Sequence, residues 1–294
     1  MGNPQNNTDI KSKIKTFETS LNREIQEKSR KTVLGIIIFL TLFILSSIIG
    51  RFNISNLIEF PNIFNYIKKT LPVLRLQFLG YDLGVWYSSR NLYLREMFDT
   101  ILIAYAATLL GTFFAFLLCF PASKNLMKNW WLYIIARRLL DFSRGVPELI
   151  YAMLFVVSFG IGPLPGVIAI AVHSVGSLGK LFSEVNENID NEAIEGIRST
   201  GGNWFQIIRY AVVPQVLPNY FSYALLRLEI NIRASTIIGF VGAGGIGQQL
   251  ILAVRQFRYQ DVSAICLIII ACVMIMDFFC EKIRHNIIGR ENLR

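Results

Sequence analysis

The chain has 294 residues, 53% of them hydrophobic and 22 of them Phe, with a mean hydropathy of +0.47 and a formal net charge of +9. That apolar load, gathered in runs rather than periodic stripes, excludes an ordinary soluble domain and points to helices that cross a bilayer with their backbone groups satisfied internally. The positive charge collects at the ends of the apolar runs, which assigns it to membrane topology and excludes nucleic acid as a partner.

In chain order, residues 1–31 carry Lys11, Lys13, Lys15, Arg23, Lys28, Arg30 and Lys31, with Ile10, Ile14, Phe17, Leu21 and Ile25 at helical spacing. This predicts a basic amphipathic tail on the cytoplasmic leaflet. The uncharged run Thr32 to Gly50 is the first span, too long and too far into the chain for a cleaved signal peptide. An external segment follows to residue 98, with Arg51, Lys68, Lys69, Arg75, Arg90 and Arg95. Its Tyr66, Tyr81, Trp86, Tyr87 and Tyr93 suit an interface or a partner-facing surface.

The second span is expected over 99–120. An interfacial helix from Trp130 to Asp141 precedes a third over 143–161, and the others fall at 164–184, 214–240 and 260–280. Six spans put both termini on one side. The basic tails, with Lys282, Arg284, Arg290 and Arg294 at the C-terminus, and Lys124, Lys128, Arg137 and Arg138 between spans, put that side in the cytoplasm. The domains are then the tail 1–31, the first helix and external segment 32–95, a core 96–284 with a polar loop at 190–214, and a cytoplasmic tail 285–294.

The loop is the most informative element. Asp190 or Asn191 can cap a short helix that runs to about Thr200, and Gly201 and Gly202 can end it. Asn203 can cap a second helix with Trp204, Phe205, Ile207 and Ile208 on its apolar face, leading through Pro214 and Pro218 into the fifth span. A capped hairpin joined tightly to a membrane helix is a rigid lever on which a cytoplasmic partner can push.

Ionisable residues within spans are costly and usually face the bundle interior. Here they are Arg144, Glu148, His173, Lys180, Glu184, Arg227, Glu229, Arg233 and Asp277. Among these residues, in the central part from Arg144 to Arg233, cations outnumber acids, which suits the path of an oxyanion that a guanidinium fork can match. Arg144, Glu148, His173, Lys180 and Arg233 are the pathway candidates. Arg227 and Arg233 stand six residues apart and so point to different faces; Arg233 is the preferred one, although Glu229–Arg233 could simply neutralise itself at i, i+4. Asp277 is expected to be balanced by Lys282 or Arg284. His173 also fits a packed, hydrogen-bonded side chain, and with His285 as the other histidine no metal site is expected. Adjacent Ser174 cannot share a helix face with His173, so no nucleophile pair and no catalytic residue is expected. Cys119, Cys266, Cys272 and Cys280 have no metal-binding spacing and read as packing residues.

Gly242-x-Gly244-x-x-Gly247 matches a dinucleotide fingerprint, with Asp261 at a suitable distance, but membrane helices rather than a βαβ unit flank it. Gly242, Gly244, Gly245 and Gly247 are instead expected to serve close helix packing and an outer gate. A helix that begins near Gly245 could also offer free N–H groups to an anion.

The polar loop resembles the EAA loop of ABC-importer permeases. Glu195, Gly201 and Pro214 hold the spacing of its Glu, Gly and Pro; Gly196 and Ile197 replace the two alanines, and Ala211 and Val213 replace the Ile and Leu. Three further segments, SRGVPELIYAMLFVVSFGIGPLPGV, AVHSVGSLGKLFSEVNENID and LEINIRASTIIGFVGAGGIGQQL, resemble phosphonate-import permeases across 143–250. The resemblance implies an all-α, type I ABC importer permease with about six spans in a bacterial inner membrane. It further implies that Glu195, Gly196, Gly201 and Pro214 couple to a cytoplasmic ABC ATPase. The other implied partners are an external solute-binding protein, a second copy of the permease and a phosphonate anion. No cofactor belongs to this chain; ATP and Mg are used by the ATPase, in keeping with the lack of a Walker A sequence. A permease for phosphite or another small oxyanion, or a stand-alone secondary carrier or intramembrane enzyme, are the alternatives, and a methionine-type importer suits the cationic path less well.

Overall fold

A computed structural model describes the backbone of residues 4–50, 65, 68–70, 84, 86 and 89–291, and side chains over 26–50, 91–286 and the isolated positions between, Arg90 excepted. The side chains of the basic tail before Gln26, Arg51, Tyr66, Arg75, Tyr81, Tyr87, Arg290 and Arg294, on which several expectations rest, lie outside the described residues. The chain divides into two units, Met1–Asn65 and Tyr66–Arg294.

The described part of the first unit is one helix, α1 (Pro4–Ile49). The tail and the first span are thus continuous, because no glycine pair, proline or cap interrupts residues 5–49. Its stretch Gln26–Ile49 is long and apolar enough to cross a membrane. Thr41 and Ser47 donate to the carbonyls of Ile37 and Phe43, at 2.8 and 2.9 Å, which satisfies their hydroxyls within the helix.

The second unit contains α2 (Arg90–Cys119), α3 (Trp130–Gly145), α4 (Glu148–Phe159), α5 (Pro163–Glu187), α6 (Asn191–Ser199), α7 (Trp204–Gln206), α8 (Val213–Ile238), α9 (Ile246–Arg255) and α10 (Tyr259–Glu291). A π-helical turn, Ile207–Val212, joins α7 to α8, and a 3-10 turn, Gly239–Val241, follows α8. No strand occurs among the described residues, as an all-α membrane bundle requires. Among the described residues, four helices are individually long and apolar enough to span; the bent pairs α3–α4 and α8–α9 raise the number to six if each pair is one span.

The expected third span, 143–161, is not one straight helix. Pro147 lacks an N–H and drives Val146 into extended geometry (φ −92°, ψ 126°), so α3 stops at Gly145 and α4 departs at 86°. The 12 residues of α4 reach roughly 18 Å, short of a hydrocarbon core of about 30 Å. Trp130 and Trp131 at the start of α3 are exposed, as suits the interfacial helix expected there. Helix α2 starts nine residues before the expected 99, and this turns Tyr93 inward to 2% exposure, where it packs with Ile265 and Trp86 instead of facing a partner.

Helix α5 is the hub and packs against α2, α3, α4 and α8. Its glycines make this possible. A Cβ on Gly176 would fall 2.5 Å from the backbone N of Arg144 and 2.6 Å from the Leu140 carbonyl, and one on Gly179 would meet the Leu140 side chain. Small residues at such crossings let helix backbones approach without a hydrophobic driving force.

At one end of the bundle a buried network ties the loop after α2 to α5 and α8. Tyr220 stacks on Phe182 with centroids 4.0 Å apart and donates to Asn186 Oδ1 at 2.6 Å; Asn186 donates to Ser123 Oγ at 3.0 Å. Removing the phenol hydroxyl leaves the Asn186 oxygen without its donor. Tyr220→Phe should therefore lower stability by about 1–2 kcal/mol, read as a lower unfolding midpoint of the detergent-purified protein.

Candidate functional site

The polar hairpin is built by caps that the sequence spells out. The Asp190 side chain accepts from the Glu192 N–H at 3.0 Å and starts α6. At its other end Gly201 takes φ +81°, its N–H donates to the Arg198 carbonyl at 3.0 Å, and that of Gly202 donates to the Ile197 carbonyl at 3.0 Å. These two bonds form a Schellman ending. Asn203 and Gln206 then exchange side chain-to-backbone bonds in a capping box, at 3.0 and 2.7 Å.

Apolar burial anchors the hairpin. Ile194, Ile207 and Ile208 are buried with Leu126 and Val212, and Trp204 Nε1 donates to the Leu126 carbonyl at 3.1 Å. Phe205, expected on the apolar face, is 74% exposed. Glu192, Glu195, Gly196, Arg198, Gly201 and Pro214 are also exposed. The outer face of the hairpin is therefore a protruding, mixed-charge surface held from beneath. Beside it a cleft of about 640 Å3 runs between Leu126–Asn129 and Arg198–Ile207.

The hairpin leads into the bundle without a break. Residues 204–238 are continuously helical, the π turn absorbing the register at the point where Pro214 removes a backbone donor. The distance from Trp204 to Arg227 along such a helix is about 35 Å.

Arg227 sits in a buried polar cluster that joins four helices. Its Nε donates to Ser174 Oγ on α5 at 3.0 Å. Asn231, one turn on, donates to Ser174 Oγ at 3.0 Å and to Thr108 Oγ1 on α2 at 2.8 Å. Arg227 Nη2 lies 3.8 Å from Glu148 Oε2 at the start of α4, and His173 Nε2 lies 3.5 Å from the same oxygen. The other His173 nitrogen, Nδ1, is 3.0 Å from the Val146 carbonyl that the α3–α4 break exposes. Arg144, Glu148 and His173 line an open cleft of about 400 Å3 with Pro147, Leu149 and Ile237.

Three of the five pathway candidates thus come together: Arg144, Glu148 and His173. The other two do not. Lys180 lies 3.8 Å from Glu184 on α5. Arg233 pairs with Glu229 and approaches Asp277 of α10 at 3.9 Å. Asp277 is therefore faced by Arg233, where the sequence suggested Lys282 or Arg284. Arg227, passed over in favour of Arg233, is the arginine in the cluster. Ser174, Asn231 and Thr108 complete the cluster; of these Asn231 alone carries a sequence signal, its i, i+4 spacing from Arg227, which puts both on one face.

The glycine turn brings α9 back against α8. A Cβ on Gly239 would lie 2.8 Å from Gly247 Cα and 2.8 Å from the Gly244 carbonyl, while Gly242, Gly244 and Gly245 have φ of +92°, +82° and +75°. The Ile246 N–H at the start of α9 donates to Thr100 Oγ1 at 2.8 Å, and Gly244–Gly247 are buried. That N–H is not free for an anion, contrary to the expectation for a helix starting there.

A family model described as "Binding-protein-dependent transport system inner membrane component" matches residues 107–287. The chain is 40% identical over 200 residues to a phosphite transport system permease protein of Stutzerimonas stutzeri, covering 68% of this chain and 73% of that protein. It is 44% identical over 121 residues to a putative cryptic phosphonate transport system permease protein of Escherichia coli K12, covering 41% of this chain and 99% of that one. Among solved structures, an inward-facing MetNI methionine ABC transporter chain superposes with a TM-score of 0.58 over 68% of this chain and 98% of that chain, at 18% identity. At that identity the likeness shows a shared fold, that of an ABC importer permease.

Proposed function

Because the chain belongs to the family of binding-protein-dependent transport system inner membrane components, we propose that it is the membrane permease of an ATP-driven importer for phosphonates. The observation that carries this reading is the family match over 107–287, which takes in both the hairpin and the polar cluster. Phosphite, or another small phosphorus oxyanion, is the second reading, and the 40% identical phosphite permease favours it.

The permease breaks no bond. A separate ATPase uses ATP and Mg, and its docking surface is the exposed face around Glu195, Gly196 and Gly201, with Pro214 at the root of the lever. An external solute-binding protein delivers the anion, and two copies of the permease enclose the path. Both termini are cytoplasmic, which puts the hairpin on the ATPase side. When the ATPase moves the hairpin, the continuous helix through Val213–Ile238 carries the motion to Arg227 and Asn231, and the glycine turn lets α9 follow. Arg144, Glu148 and His173 supply the polar lining, whereas Arg233 and Lys180 face Glu229 and Glu184 away from it.

The test is co-purification. The tagged permease should bring down an ATPase subunit whose hydrolysis rises when the anion-loaded binding protein is added. A permease that moves phosphonate in cells deleted for that ATPase would instead be a secondary carrier.

A further inference from the structure

The central cluster holds one cation that is incompletely bonded. Arg227 is 8% exposed, and its Nη2, shut off from solvent, donates no hydrogen bond to any described residue. Its countercharge is Glu148 Oε2 at 3.8 Å, and His173 Nε2 stands 3.5 Å from the same oxygen. Both distances are loose for hydrogen bonds. A carboxylate that was only a structural counter-ion to a buried guanidinium would be expected to close on it, because an under-bonded buried charge is costly.

The position of Glu148 is also informative. It opens α4 directly after Pro147, where the first N–H groups of a helix lack intrahelical partners and its dipole is positive. Glu148, Leu149, His173 and Arg144 line the open cleft, whereas Arg227 does not and stands behind Glu148. One carboxylate therefore lies between a cleft of about 400 Å3 and a buried guanidinium.

We propose that the Glu148 carboxylate is a resident stand-in for the cargo. A tetrahedral phosphorus oxyanion entering the cleft displaces it, and is bound by Arg227 and the first amides of α4. The inference rests on the importer reading above and names the membrane site of that importer. It explains the loose geometry: Glu148 competes for the same donors, so the anion is held and then released. A path must bind its ion well enough to admit it and weakly enough to let it go.

The test uses the purified complex of permease and ATPase, with methylphosphonate as the probe in an equilibrium binding measurement. Glu148→Gln removes the competitor and should lower Kd about tenfold; if the parent binds too weakly to measure, this variant should gain measurable binding. Arg227→Gln should abolish binding. Should that variant fail to assemble, Arg227→Lys, which keeps the charge but loses the fork, should weaken binding about tenfold. Unchanged or weaker binding in Glu148→Gln, or parental affinity in either arginine variant, would overturn the proposal. ATP hydrolysis stimulated by the binding protein is measured on the same samples. If it is present while Glu148→Gln fails to tighten, the anion site alone is wrong; if no ATPase co-purifies, the importer reading itself fails.

Discussion

Gly247→Val should leave almost no folded permease in the membrane. The Cβ of any side chain at this position would collide with the Thr236 carbonyl group and come within 3.1 Å of Gly239 Cα. These are backbone atoms of the last turn of α8 and of the 3-10 turn that follows it, and cannot rotate aside. Moving α9 away would break the 2.8 Å bond from the Ile246 N–H to Thr100 and open the apolar cluster in which Ile246, Ile232 and Ile265 are buried. Ordinary overpacking, in which side chains shift, costs about 1–3 kcal/mol; a clash with fixed backbone exceeds that range and takes up most of a total stability of about 5–15 kcal/mol. The measurement is the monodisperse fraction of detergent-solubilised protein in size-exclusion chromatography. Gly196→Ala is the control: it lies in α6, where an added Cβ would meet nothing within 4 Å, and should fold as well as the parent. A parental profile for Gly247→Val would show that α8 and α9 do not pack as closely as described.

Glu195→Lys should do the reverse, leaving the fold and removing the transport. Glu195 is exposed on the outer face of α6 and makes no hydrogen bond or ion pair with any described residue. Exposed substitutions of this type usually change stability by no more than about 0.5 kcal/mol. A fall in uptake of about tenfold or more, with unchanged folded yield and less co-purifying ATPase, would therefore report on the partner and not on the hairpin. Gly202→Val separates the lever from the surface. Its Cβ would fall 2.5 Å from Ile197 Cγ2 and 2.7 Å from the Ile197 carbonyl, disrupting the Schellman ending while leaving Glu195 in place. It too should lose uptake. Full uptake in both variants would remove the hairpin from the mechanism.

What was legible in the sequence was local. Asp190, Gly201, Gly202 and Asn203 build the hairpin through bonds that span five residues or fewer, so spacing alone identifies them. The all-α bundle was legible from apolar runs that only a bilayer explains. Pairing between helices was not. Arg227 and Arg233 lie on one helix, and which of them meets Glu148 depends on how α4 leaves the Pro147 break. That break was visible as Val146-Pro147, yet an apolar run on its far side concealed a bend of 86°. The pairing of Arg233 with Asp277 depends in the same way on α8 meeting α10, which no short-range pattern encodes.

The most direct test of ATP-driven import is accumulation of methylphosphonate in proteoliposomes that contain the permease and its ATPase, with nucleotide on the ATPase side and the binding protein on the other. Accumulation above the external concentration that requires ATP and the binding protein, and is lost in Glu195→Lys, is the predicted result. Uptake that proceeds equally without ATP, or that ignores the Glu195 substitution, would contradict it.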